Sequence, residues 1–231
     1  MEIYISIDGV LRNTIQKFEY LYNKEFIDSE PEDKQDNFEY RIKYPICNEK
    51  LMESFEFHDE TEFNNFMYLD YALELFGHSG ISNMSVVNEL NSLIYNYPNH
   101  KFTLIGVDEF GRSRPATLFF LSKYGFLVNN IKFILSKDID NEWKKCDVWV
   151  TDSKKIINKC PTSKMAIKFN TDYNSYFLHS HEINNISKIE ELCLKSWVQL
   201  TTLMLTKLLK NVGQFTQLKK KKKTMKPPKV V

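Results

Sequence analysis

The stretch Ile3–Leu11, Ile-Tyr-Ile-Ser-Ile-Asp-Gly-Val-Leu, constrains this chain more than any other. Ile3, Ile5 and Ile7 alternate, with the β-favouring Tyr4 between them, which makes a strand. Gly9 lets the backbone turn sharply directly after it. Asp8 is thereby left at the carboxyl end of the first strand. In an open α/β sheet that end is where ligands bind, above all where the strand order reverses.

The rest of the chain alternates between helical and extended patterns. Helical periodicity runs over Arg12–Phe26 through Ile15, Phe18 and Tyr22. Ile27–Phe38 is an acidic, proline-containing linker. Glu39–Ile46 reads as extended, and Lys50–Phe57 and Glu60–Phe76 as helices, the second with a wide apolar face. Ser82 is placed to cap a helix over Met84–Tyr97. Strands are predicted at Lys101–Gly106, Lys132–Leu135, Asp147–Val150 and Met165–Phe169. Between them lie helices Ala116–Tyr124, led by Pro115 and stopped by Gly125, and Ser153–Lys159. This order predicts an α/β fold, a Rossmann-like three-layer parallel sheet. Residues 1–13 and 83–181 form its core, and 14–82 a mostly helical insertion. Residues 182–213 are predicted to extend it with a C-terminal helix, and 214–231 are a basic tail expected to be disordered by itself.

A chain of 231 residues fits one domain with a sizeable insertion, and 42% hydrophobic content supplies a large core. The net charge of +1 hides an asymmetry. Lys219–Lys223, Lys226 and Lys229 carry seven positive charges at the end, which leaves the rest near −6. Cys47, Cys146, Cys160 and Cys193 form no CxxC pair and have no zinc spacing, so they read as free thiols of a reducing compartment. No uncharged apolar run reaches the ~18 residues of a membrane span. With a strand at the N-terminus and no signal-peptide pattern, the expected location is cytoplasmic, or a host cytoplasm or virion if the chain is viral.

Asp8-Gly-Val-Leu11 resembles the end of the first motif of the haloacid-dehalogenase (HAD) superfamily, Asp-x-Asp-Gly-[Thr/Val]-[Leu/Val]. The insertion stands where HAD phosphatases carry a C1 cap. The stretches Tyr71–Gly77, Gly111–Thr117, Asp147–Asp152 and Ile167–Asn170 are similar, in order and spacing, to HAD-like deoxyribonucleotidase-type proteins of bacteriophages.

The resemblance implies a site made from four loops at the strand ends. A carboxylate attacks phosphorus, a second acid protonates the leaving group, a Ser or Thr and a Lys hold the phosphoryl group, and acids hold Mg²⁺. Carried over, Asp8 is the acid, Lys137 the charge-balancing lysine, and Asp152 with Asp8 the metal-binding acids. The chain departs from the pattern elsewhere. Ser6 occupies the nucleophile position, Gly106 that of the phosphate-binding Ser or Thr, and Thr151 that of an acid. Serine lacks the charge needed to bind Mg²⁺ and to attack. Arg112 and Arg114 flank a helix start and are the remaining candidates to bind phosphate. The local alternatives are a turn-stabilising role for Asp8, a surface position for Lys137 and helix capping by Asp152.

Three functions follow as expectations. The first is a scaffold with a degenerate site, needing no cofactor, that acts as a binding or accessory protein. It would dock a protein partner, or itself, through residues 182–213. The second is a Mg²⁺-dependent phosphatase acting on nucleotide monophosphates. The third is a nucleic-acid-associated module that makes non-specific phosphate contacts through Lys219, Lys220, Lys221, Lys222 and Lys223.

Overall fold

Six strands pair in parallel throughout, so each connection must cross back over a face of the sheet. A computed structural model describes residues 1–28 and 38–194. In chain order the first elements are β1 (Glu2–Ser6) and α1 (Thr14–Tyr22), the latter running into a π-helical turn at Asn23–Ile27. The insertion adds α2 (Leu51–Ser54), α3 (Glu60–Asn65) and α4 (Ala72–Gly77). There follow α5 (Val86–Asn96), β2 (Lys101–Val107), α6 (Arg114–Tyr124) and β3 (Ile131–Ile134). Then come α7 (Ile139–Trp143), β4 (Val148–Thr151), α8 (Lys154–Asn158), β5 (Met165–Phe169) and β6 (Glu182–Ile183).

The sheet order is β3-β2-β1-β4-β5-β6. The chain builds outward from β1 on one side, then returns to build outward on the other. That reversal puts the crevice of the fold at the carboxyl ends of β1 and β4. The α/β, Rossmann-like architecture predicted from the alternation is therefore present.

Central strands read as continuous apolar runs because both faces are covered. Ile3, Tyr4, Ile5 and Ile7 are all buried. On one face Tyr4 meets Trp149 edge-on at 5.4 Å, and Trp149 meets Trp143 of α7 at 5.2 Å. The insertion has its own aromatic core, in which Phe18, Tyr22, Phe55 and Phe66 interlock and join Ala116 of α6.

Several boundaries differ from the sequence reading. The helix expected over Glu60–Phe76 is broken into α3, a π-helical turn at Phe66–Asp70, and α4. Nine residues separate Phe66 from Leu75, which on one regular helix would set them ~180° apart. The widened turn lets both face apolar neighbours. The helix expected over Lys50–Phe57 shrinks to α2 after a 3₁₀ turn at Asn48–Lys50. Ser82 does not cap α5; its hydroxyl donates to the Val10 carbonyl instead. The short helix α7 escaped the sequence reading altogether.

The largest correction is at residue 182. No helix begins there, because Glu182–Ile183 is the sixth strand, paired with Lys168 and Phe169. Ile183 and Ile186 keep the three-residue spacing of a helix, but the strand takes only the first of them. Asn185 then accepts from the Ser187 amide at 2.8 Å, a local bond that competes with helix.

The chain divides into two units at Ser187. Among the described residues of the second, Glu190–Leu194 makes a π-helical turn, and Lys188 pairs with Glu191 at 3.1 Å. Most of the acidic linker, most of the predicted C-terminal helix, and the tail with Lys219–Lys223 lie outside the described residues. No helix among the described residues is long and apolar enough to cross a membrane.

Candidate functional site

The carboxyl ends of β1, β2 and β4 open into a cavity of about 270 Å³, roofed by the insertion. Ser6, Asp8, Thr14, Asn48, Asp152 and Lys155 line it. The turn after β1 brings Asp8 and Asp152 together. Gly9 has φ +73°, and a Cβ there would overlap the Asp152 carboxylate. Only glycine suits that place on both counts.

Ser6, Asp8 and Asp152 are each already engaged. The Ser6 oxygen accepts from Trp149 Nε1 at 3.1 Å. Among the described residues no histidine lines the cavity to act as a base toward it. Asp8 Oδ1 accepts from Arg12 Nε at 3.0 Å and Nη2 at 2.6 Å, and from the Thr14 hydroxyl. Asp152 Oδ2 accepts from Asn48 Nδ2 of the insertion at 3.0 Å. Asn48 is itself held, since Tyr176 donates to its Oδ1 at 3.1 Å. The neighbouring Glu49 accepts from Ser153 Oγ at 2.8 Å. The 48–49 segment thus clamps the insertion onto the end of β4.

Burial pushes the Asp152 carboxyl up to about 7; the Asn48 hydrogen bond opposes this, and the Asp8 charge adds to it. The folded chain therefore holds a proton here that the unfolded chain releases near pH 4. Stability from this group is greatest below that range and falls as pH rises toward 7. Asp152→Asn should flatten the pH dependence of unfolding between pH 4 and 7, by a few kcal/mol at most, as read from urea melts at several pH values. An unchanged slope would refute a protonated Asp152.

Mg²⁺ takes oxygen ligands in near-octahedral order, commonly with one or two carboxylates. Here Ser6 is neutral, Asp8 Oδ1 is bound to a guanidinium, and Asp152 Oδ2 is bound to the Asn48 amide. This donor set does not fit the ion. Among the described residues no group of three or more His, Cys, Asp or Glu side chains is placed to hold a metal.

The sequence candidates separate in space. Ser6, Asp8 and Asp152 converge as expected. Lys137 is exposed on a 3₁₀ turn at Ser136–Asp138 and does not line the cavity; Lys155 does. Gly106 lies inside β2, which continues to Val107, and a Cβ there would come within 2.9 Å of the Phe133 ring. It is a packing glycine. The residue that follows β2 is Asp108, fully buried. Its Oδ2 accepts from Arg114 Nε at 3.3 Å, while Oδ1 has no partner among the described residues. Arg114 also stacks over Phe133, and Arg112 is exposed; neither lines the cavity. Asp152 is not the cap of α8. Ser153 is, accepting from the Ile156 amide at 3.4 Å.

Sequence reasoning missed Arg12, Thr14, Asn48 and Trp149. A cation four residues after Asp8 was the available signal for Arg12. Asn48 offered none, because only the fold of the insertion brings it to β4.

Comparison with solved structures finds a haloacid dehalogenase-like hydrolase from Burkholderia xenovorans, at TM-score 0.48 and 9% identity, covering 84% of this chain and 96% of that one. A haloacid dehalogenase-like family hydrolase from Xanthomonas campestris is similar at TM-score 0.45 and 10% identity, covering 81% of this chain and 92% of that one. No protein-family model matches the sequence. No curated protein matches it.

Proposed function

We propose that this chain is an HAD-type scaffold that has given up phosphoryl transfer and acts by binding, as an accessory or structural protein. One observation carries the reading. The nucleophile position holds Ser6, a neutral side chain whose oxygen is bound by Trp149 at the floor of the cavity. A serine attacks phosphorus only with a base to take its proton; among the described residues no histidine lines this cavity, and the carboxylate nearest in sequence, Asp8, accepts from Arg12 and Thr14. The engaged Asp8 and Asp152 support the same conclusion, since phosphoryl transfer depends on neutralising charge at the transferred group.

The C-terminal sequence, apolar from Val198 to Leu209 and basic from Lys219, is the part proposed to dock a protein or nucleic acid. Its deletion should abolish that docking.

The test is a phosphatase screen with nucleotide monophosphates and a generic aryl phosphate, with and without Mg²⁺. The wild type is expected to be silent. Mg²⁺-dependent turnover by the wild type would overturn the proposal in favour of a nucleotide monophosphate phosphatase. Ser6→Asp, run beside it, separates two histories. Gained activity means that only the nucleophile was lost, and continued silence means that the whole cavity has been given over to packing.

A further inference from the structure

A larger cavity, about 710 Å³, lies on the far side of the 48–49 clamp, where the insertion meets α8 and the turn Asp172–Asn174. Its volume is in the range that holds a small molecule. Pro45, Ile46, Tyr173 and Tyr176 give it apolar and aromatic walls. Charge is distributed unevenly around them. Lys50, Lys154, Lys155 and Lys159 face Glu49 and Asp172.

The pairing of these charges decides the ligand. Lys50 is bound to Glu53 at 2.6 Å and Lys159 to Asp140 at 2.7 Å. Glu49 is held by Ser153 Oγ and the Lys155 amide. Among the described residues neither Lys154 nor Lys155 has a carboxylate within ion-pair distance. Lys154 Nζ rests instead over the rings of Tyr176, at 5.5 Å, and Phe177, at 5.6 Å. Two cations without anions stand beside exposed tyrosine surface.

We infer that this outer cavity binds a small molecule made of a flat aromatic ring and a phosphate group, the ring against Tyr173 and Tyr176 and the phosphate between Lys154 and Lys155. The site stands whether or not the neighbouring cavity turns over phosphate, because Lys154, Tyr173 and Tyr176 line the outer cavity and not the inner one, while Glu49 and Lys155 line both.

Phenyl phosphate, adenosine monophosphate and inorganic phosphate are the probes, titrated calorimetrically into the full-length chain. Cys47 lines this cavity and Cys160 does not, so the rate of Cys47 alkylation, read by mass spectrometry against Cys160, reports occupancy. The two ring-bearing phosphates should bind and slow Cys47 alkylation while sparing Cys160. Lys154→Gln and Tyr176→Ala should each weaken binding by about tenfold, since each removes a cation or ring contact. A melting curve for each variant confirms that it is folded. Ser6→Leu, which fills the neighbouring cavity, should leave binding unchanged. The inference is overturned by absence of binding, by inorganic phosphate binding as tightly as phenyl phosphate, by folded Lys154 and Tyr176 variants that bind normally, or by binding that Ser6→Leu abolishes. The last result would put the ligand in the inner cavity and leave the phosphatase screen as a separate question.

Discussion

Gly9→Ala is expected to cost about 2–5 kcal/mol of folding stability, the sum of a left-handed backbone penalty and an overpacked contact. The backbone there has φ +73°, and a Cβ would overlap the Asp152 carboxylate. Asp152 cannot retreat freely, because Asn48 holds its Oδ2 and both Asn48 and Asn174 donate to its carbonyl at 3.1 Å. Gly111 is the internal control. It has φ +72° with nothing within 4 Å of a Cβ, so Gly111→Ala should show the backbone penalty alone, ~1–2 kcal/mol. Urea unfolding of both variants separates the two terms. Equal losses would mean that the Gly9–Asp152 contact contributes nothing. A double variant, Gly9→Ala with Asp152→Ala, should recover part of the loss, because the two side chains contend for one space.

Arg12→Met should lower stability by about 2–4 kcal/mol, because it strips the buried Thr117 hydroxyl and Phe76 carbonyl of their donor while the Asp8 left behind is partly solvated. Arg12 is 1% exposed. Its guanidinium donates to Asp8, to Thr117 Oγ1 at 3.1 Å and to the Phe76 carbonyl, and lies between the rings of Phe76 and Phe120 at 5.1 and 5.3 Å. Methionine keeps much of the volume and the stem's apolar contact, so the measured loss reports the polar bonds and the cation–ring contacts together. Arg12→Lys should not rescue it, because an ammonium cannot reproduce the planar fork. Asp8→Asn should cost less, since the amide oxygen still accepts and the Asp8 side chain is 36% exposed. A loss below ~1 kcal/mol for Arg12→Met, in thermal or urea unfolding, would place that pair with weak surface bridges.

This network also ties the site to the insertion. Arg12 joins the turn after β1 to α4 through Phe76 and to α6 through Thr117. Asn48 joins the insertion to β4. The cavity is therefore walled by groups whose hydrogen bonds serve the fold, which is why Asp8 and Asp152 are poorly placed to serve a metal as well.

Residues Ile3–Leu11 carried most of what could be read in advance. Alternation of apolar runs with helical patterns placed five of the six strands to within a residue or two, because a strand buried on both faces is apolar throughout. The positions of Ser6, Asp8 and Asp152 followed, since each stands at or just past a strand end. Gly106 lies inside β2 because the strand runs on to Val107, and Lys137 lies on a 3₁₀ turn that follows β3, which strand periodicity does not foresee.

The sequence by itself determined the parallel α/β class, the turn at Gly9 and the convergence of Ser6 with two acids, because these depend on local periodicity and on glycine's freedom at positive φ. The tertiary structure alone decided what those groups can do. Trp149 reaches Ser6 across 143 residues, and Asn48 reaches Asp152 across 104. Pairings at such separations leave no local pattern in the chain; they arise when the sheet order puts β1 beside β4 and the insertion folds down onto them.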